Sequence, residues 1–211
     1  MRVFIHPLAW WIPEGTYYKA LKAEVVVVEG DVNELLWDLA IHRHAMQRVV
    51  DALWDLDTLP RKSQLHQLFY PMLRQYGFRA HVARNIYNYA LALVESARSN
   101  GGKPKIMRLS VRLDYQDARV ELDKGIAKVI LRDKWYVLKL KHRRKYIEGF
   151  MNLRWKEVHV KYEDEKLFMS VVFEVKYKPY APRGFTTMDV NLRMITTFNG
   201  SEVRRYRGKV H

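Results

Sequence analysis

The hydrophobic period of this chain changes once, near residue 100, and that change limits the folds open to it. Before the loop Ser99-Asn100-Gly101-Gly102-Lys103-Pro104, apolar residues recur at three- and four-residue spacing; after it they alternate with polar ones. A period of 3.6 stripes one side of a helix and a period of 2 paints one face of a strand, so a helical block must precede a sheet. Val32, Leu35, Leu36, Leu39, Met46, Val49, Val50 and Leu53 predict a long helix over 32–55. Asp31 is its expected N-cap, with Glu34 three residues on completing a capping box. A second helix is expected from Ser63 to Gly77, kinked or split at Pro71, and a third over 79–97.

One strand, 17–28, comes before the helices. After them the alternation predicts strands near 118–122, 126–132, 134–141, 154–163 and 166–177. Pro179 and Pro182 mark a linker, followed by strands at about 185–190, 193–198 and 202–207, the last two joined at Asn199-Gly200. A lone strand ahead of a helical insertion, with many antiparallel strands after it, predicts an α+β chain built on a β-barrel. By analogy, oligonucleotide-binding barrels are a frequent example. A length of 211 residues with 48% apolar content allows one large domain or two small ones.

The charge is divided as unevenly as the periodicity. Residues 1–99 hold 11 basic and 10 acidic residues, whereas 100–211 hold 26 and 13, so nearly all of the net +14 lies in the strand-rich half. A positive field confined to one half implies a polyanionic partner, most often nucleic acid. An anionic membrane would call for a basic amphipathic helix, and this half reads as strands. No run of 18 apolar residues occurs, and Pro7 and Pro13 interrupt the apolar start, so neither a membrane span nor a signal peptide is expected. The absence of cysteine removes disulfides, thiolate zinc sites and cysteine nucleophiles, and fits a cytoplasmic protein.

The densest basic run is Lys139-Leu140-Lys141-His142-Arg143-Arg144-Lys145. Lys139 and Lys141 should share one strand face, and Arg143, Arg144 and Lys145 the following loop, a setting that suits phosphate neutralisation. Tyr146, Phe150 and Trp155 follow closely, as base-stacking platforms or as core. Arg154 and Lys156 extend the cluster. Arg79, Arg84, Asn85 and Asn88 at the start of the third helix form a second edge able to meet a backbone, or a solvated helix face. His42 and His44, two apart on a helix, point to different sides, and His6, His66, His81 and His159 are isolated, so no zinc site is expected. No Walker loop, dinucleotide fingerprint or nucleophile elbow occurs. Asp189 stands in an apolar strand ahead of a three-strand meander, where a carboxylate must be bonded, paired or metal-bound.

Five segments carry a family resemblance: Arg112-Leu113-Asp114-Tyr115, Trp135-Tyr136-Val137-Leu138-Lys139-Leu140-Lys141, Leu153-Arg154-Trp155-Lys156-Glu157-Val158, Phe173–Tyr180 and Met188-Asp189-Val190-Asn191-Leu192-Arg193. They resemble archaeal members of the TnpB/OrfB family, insertion-sequence proteins classed with transposases and known as RNA-guided DNA nucleases. The resemblance covers roughly 17–211 and is most specific in the second half. It implies a wedge β-barrel from 17–30 and 103–180, a helical recognition insertion at 31–99, and the start of a ribonuclease-H/RuvC-like domain at 184–211. It also implies Asp189 as the first metal-binding acid of an Mg²⁺-dependent nuclease, with structured RNA and DNA as partners and a transposon-encoded partner as a further expectation. Asn191 departs from the family's glycine, and the chain stops at His211, before the family's later acids and zinc finger. It is therefore expected to bind nucleic acid but to be catalytically incomplete by itself, since one aspartate cannot hold two Mg²⁺ ions. The alternatives are a stand-alone RNA- or DNA-binding regulator without nuclease ancestry, and a nuclease completed by another chain.

Overall fold

The computed structural model describes residues 15–142, 144–178, 187–190, 194–199 and 201–207. They fall into two compact units, Tyr17–Val175 and a smaller one holding Gly15, Thr16 and the described residues from Lys176 onward. The first residues of the first strand and the last of the seventh therefore belong to the smaller unit. In the larger unit, strand β1 (Gly15–Glu29) leads into helices α1 (Val32–Trp54), α2 (Lys62–Gln75) and α3 (Ala80–Asn100). Strands β2 (Leu109–Asp114), β3 (Ala118–Glu121), β4 (Ile126–Ile130) and β5 (Trp135–Lys141) follow, then the short helix α4 (Arg144–Glu148). Strands β6 (Arg154–Glu163) and β7 (Lys166–Tyr177) complete the set.

The seven strands form one sheet in the order β2-β6-β7-β1-β5-β4-β3. Its two ends, β2 and β3, are consecutive in the chain and separated only by Tyr115-Gln116-Asp117. In a flat sheet they would lie six strand spacings apart, about 29 Å, yet the four peptide steps from Asp114 to Ala118 reach at most roughly 14 Å. The sheet must curl, and β3 accordingly meets β6. Inside the curl lie Leu21, Ala23, Val25, Val111, Leu113, Leu138, Leu140, Val158, Val160, Met169, Val171 and Phe173, all buried. The alternation of their strands puts the intervening polar residues outside.

Several local expectations hold and several shift. Asp31 caps α1, its Oδ1 accepting from Asn33 N at 2.6 Å and Glu34 N at 3.1 Å. The capping box is not closed, because both Glu34 oxygens bind Lys134 Nζ, at 2.7 and 2.9 Å. Helix α2 starts at Lys62 rather than after Ser63, capped where Gln64 Oε1 accepts from Arg61 N at 2.8 Å, and it runs through Pro71 without splitting. Pro71 removes one backbone donor, while buried Leu65, Phe69 and Leu73 hold the helix down on both sides of it. Strand β2 was hidden in the sequence, and residues 144–148, expected as loop, are helical. At Gly30, φ is +94° and an added Cβ would stand 2.8 Å from Tyr136 Cδ1, so only glycine turns the chain from β1 into α1.

Helices and sheet share one core, and a buried polar bridge fixes their contact. Asp38 of α1 accepts from Tyr136 Oη at 2.9 Å and from Arg132 at 3.2 Å. Burial, and then the bond to Asp38, pushes the Tyr136 phenol up from its ordinary range. Where β3 begins, the buried Asp117 carboxylate lies 3.7 Å from Arg79 Nε; burial raises its pKa and Arg79 opposes the rise. The connector from α3 to β2 is pinned to α1 by Gln47, which donates to Pro104 O at 3.2 Å and accepts from Ile106 N at 2.7 Å. No described helix is long and apolar enough to cross a membrane.

The smaller unit contains the antiparallel sheet β8 (Thr187–Val190), β9 (Met194–Phe198) and β10 (Val203–Arg207), in the order β10-β9-β8. Asn199 does not occupy the turn as expected but precedes it. Its N–H bonds Glu202 O, and its side chain accepts from Ser201 N and Glu202 N. The expected strand starts at 185 and 193 lie outside the described residues.

Candidate nucleic-acid interface

The outward face of the curled sheet is built by the polar half of each alternation. Register sets Glu24 of β1 beside Lys141 of β5, Val26 beside Lys139, Lys161 of β6 beside Phe168 of β7, and Arg112 of β2 beside His159. Lys22, Lys139, Lys141, Lys161, Lys166 and Arg112 therefore share one face, with Glu24, Glu157 and Glu163 among them. Lys141 Nζ lies 2.6 Å from Glu24, which is also 3.9 Å from Lys166, so one carboxylate serves two cations on neighbouring strands. The Lys141 hydrogen bond holds Glu24 below the usual carboxylate range. Glu163 is likewise held low, first by Lys161 at 2.5 Å and then by the charges of Arg108 and Lys22. Arg112 is bound to Glu157. The Lys22 ammonium stands 5.3 Å from the centre of the Phe168 ring.

These exposed pairs are weak in water, and phosphate oxygens can replace their carboxylates in the same geometry. A face with a net cationic excess across five adjacent strands thus offers a track for a sugar–phosphate chain.

The residues singled out from sequence distribute over this frame unequally. Lys139 and Lys141 lie on the outward face of β5 as expected. His142 follows and stacks on Tyr146, ring centres 4.2 Å apart. Arg144 and Lys145 open α4 and are exposed, Arg144 lying 3.7 Å from Glu148. Arg143 lies outside the described residues. Arg154 is exposed opposite Glu174 in the β6–β7 register, and Lys156 pairs with Glu174 at 2.6 Å. Tyr146 keeps an exposed edge, but Phe150 is core, buried against Phe173, and so cannot stack on a base.

Arg79 does not join the cluster. It is held by Asp117, and its N–H meets Leu131 O near the start of β5, whereas Lys141 ends that seven-residue strand, roughly 20 Å away. Arg84 is exposed on α3. Asp189 lies in β8 opposite Thr196. Among the described residues no group of three or more His, Asp or Glu side chains could hold a metal ion.

Sequence reading missed Lys22, Arg108, Lys161 and Lys166. The signal was present in β1, β6 and β7, where lysines alternate with Leu21, Ala23, Val160 and Leu167, but a cluster assembled across strands leaves no run in the chain.

No protein-family model matches the chain, and no curated protein does. Chains of solved structures do match. One is a chain in the cryo-EM structure of the Cas12f1–sgRNA–target DNA complex, 10% identical with a TM-score of 0.41. The match covers 91% of this chain, which spans only 66% of that one.

Proposed function

We propose that the protein binds nucleic acid, gripping the sugar–phosphate chain on the outward face of its curled sheet. The observation that carries this is the register that gathers Lys22, Lys139, Lys141, Lys161, Lys166 and Arg112 on one side, with carboxylates such as Glu24, Glu157 and Glu163 interspersed. Cations standing out from a rigid sheet exchange solvent counterions for phosphate, and the released counterions make binding fall steeply with salt.

The finer reading rests on the motif resemblance: a TnpB/OrfB-like transposon protein whose partners are guide RNA and DNA. In it, 17–30 with 103–180 forms the wedge barrel, 31–99 the recognition insertion and 184–211 the start of a RuvC-like domain with Asp189 as its first acid. The cluster Lys139, Lys141, His142, Arg143, Arg144, Lys145, Arg154 and Lys156 then holds RNA, with Arg84 and Arg79 at the helical edge.

The test is titration of structured RNA and of duplex DNA against the chain at 50 and 200 mM salt. Neutralising about 6–10 phosphates is expected to lower affinity by roughly 10³–10⁵ over that range. A flat response, or no binding to either polymer, overturns the reading. Asp189→Ala should not weaken binding, because a carboxylate repels phosphate rather than holding it.

A further inference from the structure

A recess adjoins the β2 end of the basic track, between the helices and the edge of the sheet, and Arg112, Asp114, Glu157 and His159 line its sheet side. It has a volume of about 680 Å³, within the roughly 300–1,000 Å³ typical of small-ligand sites. One wall is α3, which presents Asn85, Asn88 and Tyr89. The opposite rim is the connector held by Gln47, which presents Lys105, Met107 and Arg108. The floor includes Met46 and the buried His42 of α1. Burial holds the His42 ring neutral, and a backbone bond to Ser110 occupies it. Its Nδ1 is enclosed without a hydrogen-bond partner among the described residues.

The chemistry is layered from floor to mouth. Asn85 and Asn88 are three apart on one helix face and bring two amides, each a donor and an acceptor, above an apolar floor. Tyr89 is 47% exposed and lines the recess, bringing an aromatic ring to it. Lys105 and Arg108 are exposed at the rim. An aromatic face, amides with both polarities and outer cations match, in that order, the ring, the pairing edge and the flanking phosphates of one nucleotide. A duplex keeps its pairing edges occupied and could reach the floor only by flipping a base out.

We infer that this recess takes one unpaired base of a single strand, stacked on Tyr89 and read by Asn85 and Asn88, with Lys105 and Arg108 on the adjoining phosphates. The inference rests on the nucleic-acid reading above but adds a recess at the β2 end of that face and a different contact, base stacking.

It is tested by fluorescence anisotropy with 12-nucleotide single strands of RNA and DNA and with a duplex of the same sequence, on the full chain. Tyr89→Ala should weaken single-strand binding about tenfold or more, in line with the roughly 1–3 kcal/mol measured per stacked base, and leave duplex binding and the salt slope unchanged. Tyr89→Phe should bind like the parent, because the ring remains. Asn88→Ala should repeat the single-strand loss. Lys105→Gln with Arg108→Gln should reduce the salt slope instead. Single-strand binding that ignores Tyr89→Ala and Asn88→Ala overturns this inference and leaves the basic track standing. A free mononucleotide that binds as tightly as the strand also overturns it, assigning the recess to a small molecule. Failure to bind any nucleic acid removes both readings.

Discussion

The junction between helices and sheet and the outward face of that sheet use charge in opposite ways. At the junction the carboxylates are few and buried, Asp38 with Arg132 and Tyr136 and Asp117 with Arg79, and His42 is held neutral beneath α3. On the outward face they are many and wet, with Glu24 shared by Lys141 and Lys166. Enclosed charges cannot change partner without leaving a buried group unpaired, so they fix geometry. Wet pairs exchange readily, so they leave a surface free to take another anion. Stability and affinity are therefore expected to respond to different residues.

Four experiments would break or sharpen that division. Asp38→Ala strands Arg132 and the buried Tyr136 hydroxyl and should destabilise the protein by about 3–5 kcal/mol, read from urea unfolding. A loss well under 1 kcal/mol would mean that the bridge does not hold α1 to the sheet.

His42 supplies the pH dependence. Its folded pKa is lowered to about 4 from the ordinary 6.5 because burial opposes the charged ring. Between those values the unfolded chain binds the extra proton, so His42 contributes stability that is complete above pH 6.5 and lost as pH falls toward 4. The loss is on the order of 3 kcal/mol. The slope of stability against pH in that window should flatten in His42→Gln relative to the parent.

On the wet side, Lys22→Gln, Lys139→Gln and Lys166→Gln together should leave the unfolding midpoint in place and lower the salt slope of RNA binding by about 2–3, close to 0.7–0.9 per phosphate contact. A shift of the midpoint with no change in slope would erase the distinction. The smallest effect is expected from Glu24→Gln, which frees Lys141 and Lys166: tighter RNA binding by a few-fold, with an unchanged melting temperature.

How much of this was legible in the sequence follows the range of each interaction. Local periodicity marked α1, α3, β6 and β7 closely, because side-chain alternation is written in neighbouring residues. Strand β2 escaped although Leu109, Val111 and Leu113 alternate toward the core, a signal only three residues long. Residues 144–148 gave no helical stripe, since Ile147 alone is buried there. The basic run at 139–145 pointed to a cationic surface, but the register that joins Lys22, Lys161 and Lys166 to Lys139 comes from strands far apart in the chain. Arg79 looked like a free cation for the reason that Asp117, its partner, is distant in sequence.

The Gln47 clamp carries a consequence for how the chain can vary in length. One amide, with a donor end and an acceptor end, grips a carbonyl and an N–H two residues apart, Pro104 and Ile106. Slipping the connector by one residue would still offer a carbonyl and an N–H, but would turn Ile106 outward and drive Lys105 and Met107 against the helix. Slipping it by two restores the pattern only toward the C-terminus, where Ile106 O and Arg108 N–H take the two places; the other way the donor would have to be Pro104, which has no N–H. The segment between Gly101 and Leu109 is thus counted in pairs and in one direction: a two-residue shift that brings Ile106 and Arg108 to Gln47 should be absorbed, and odd shifts should not.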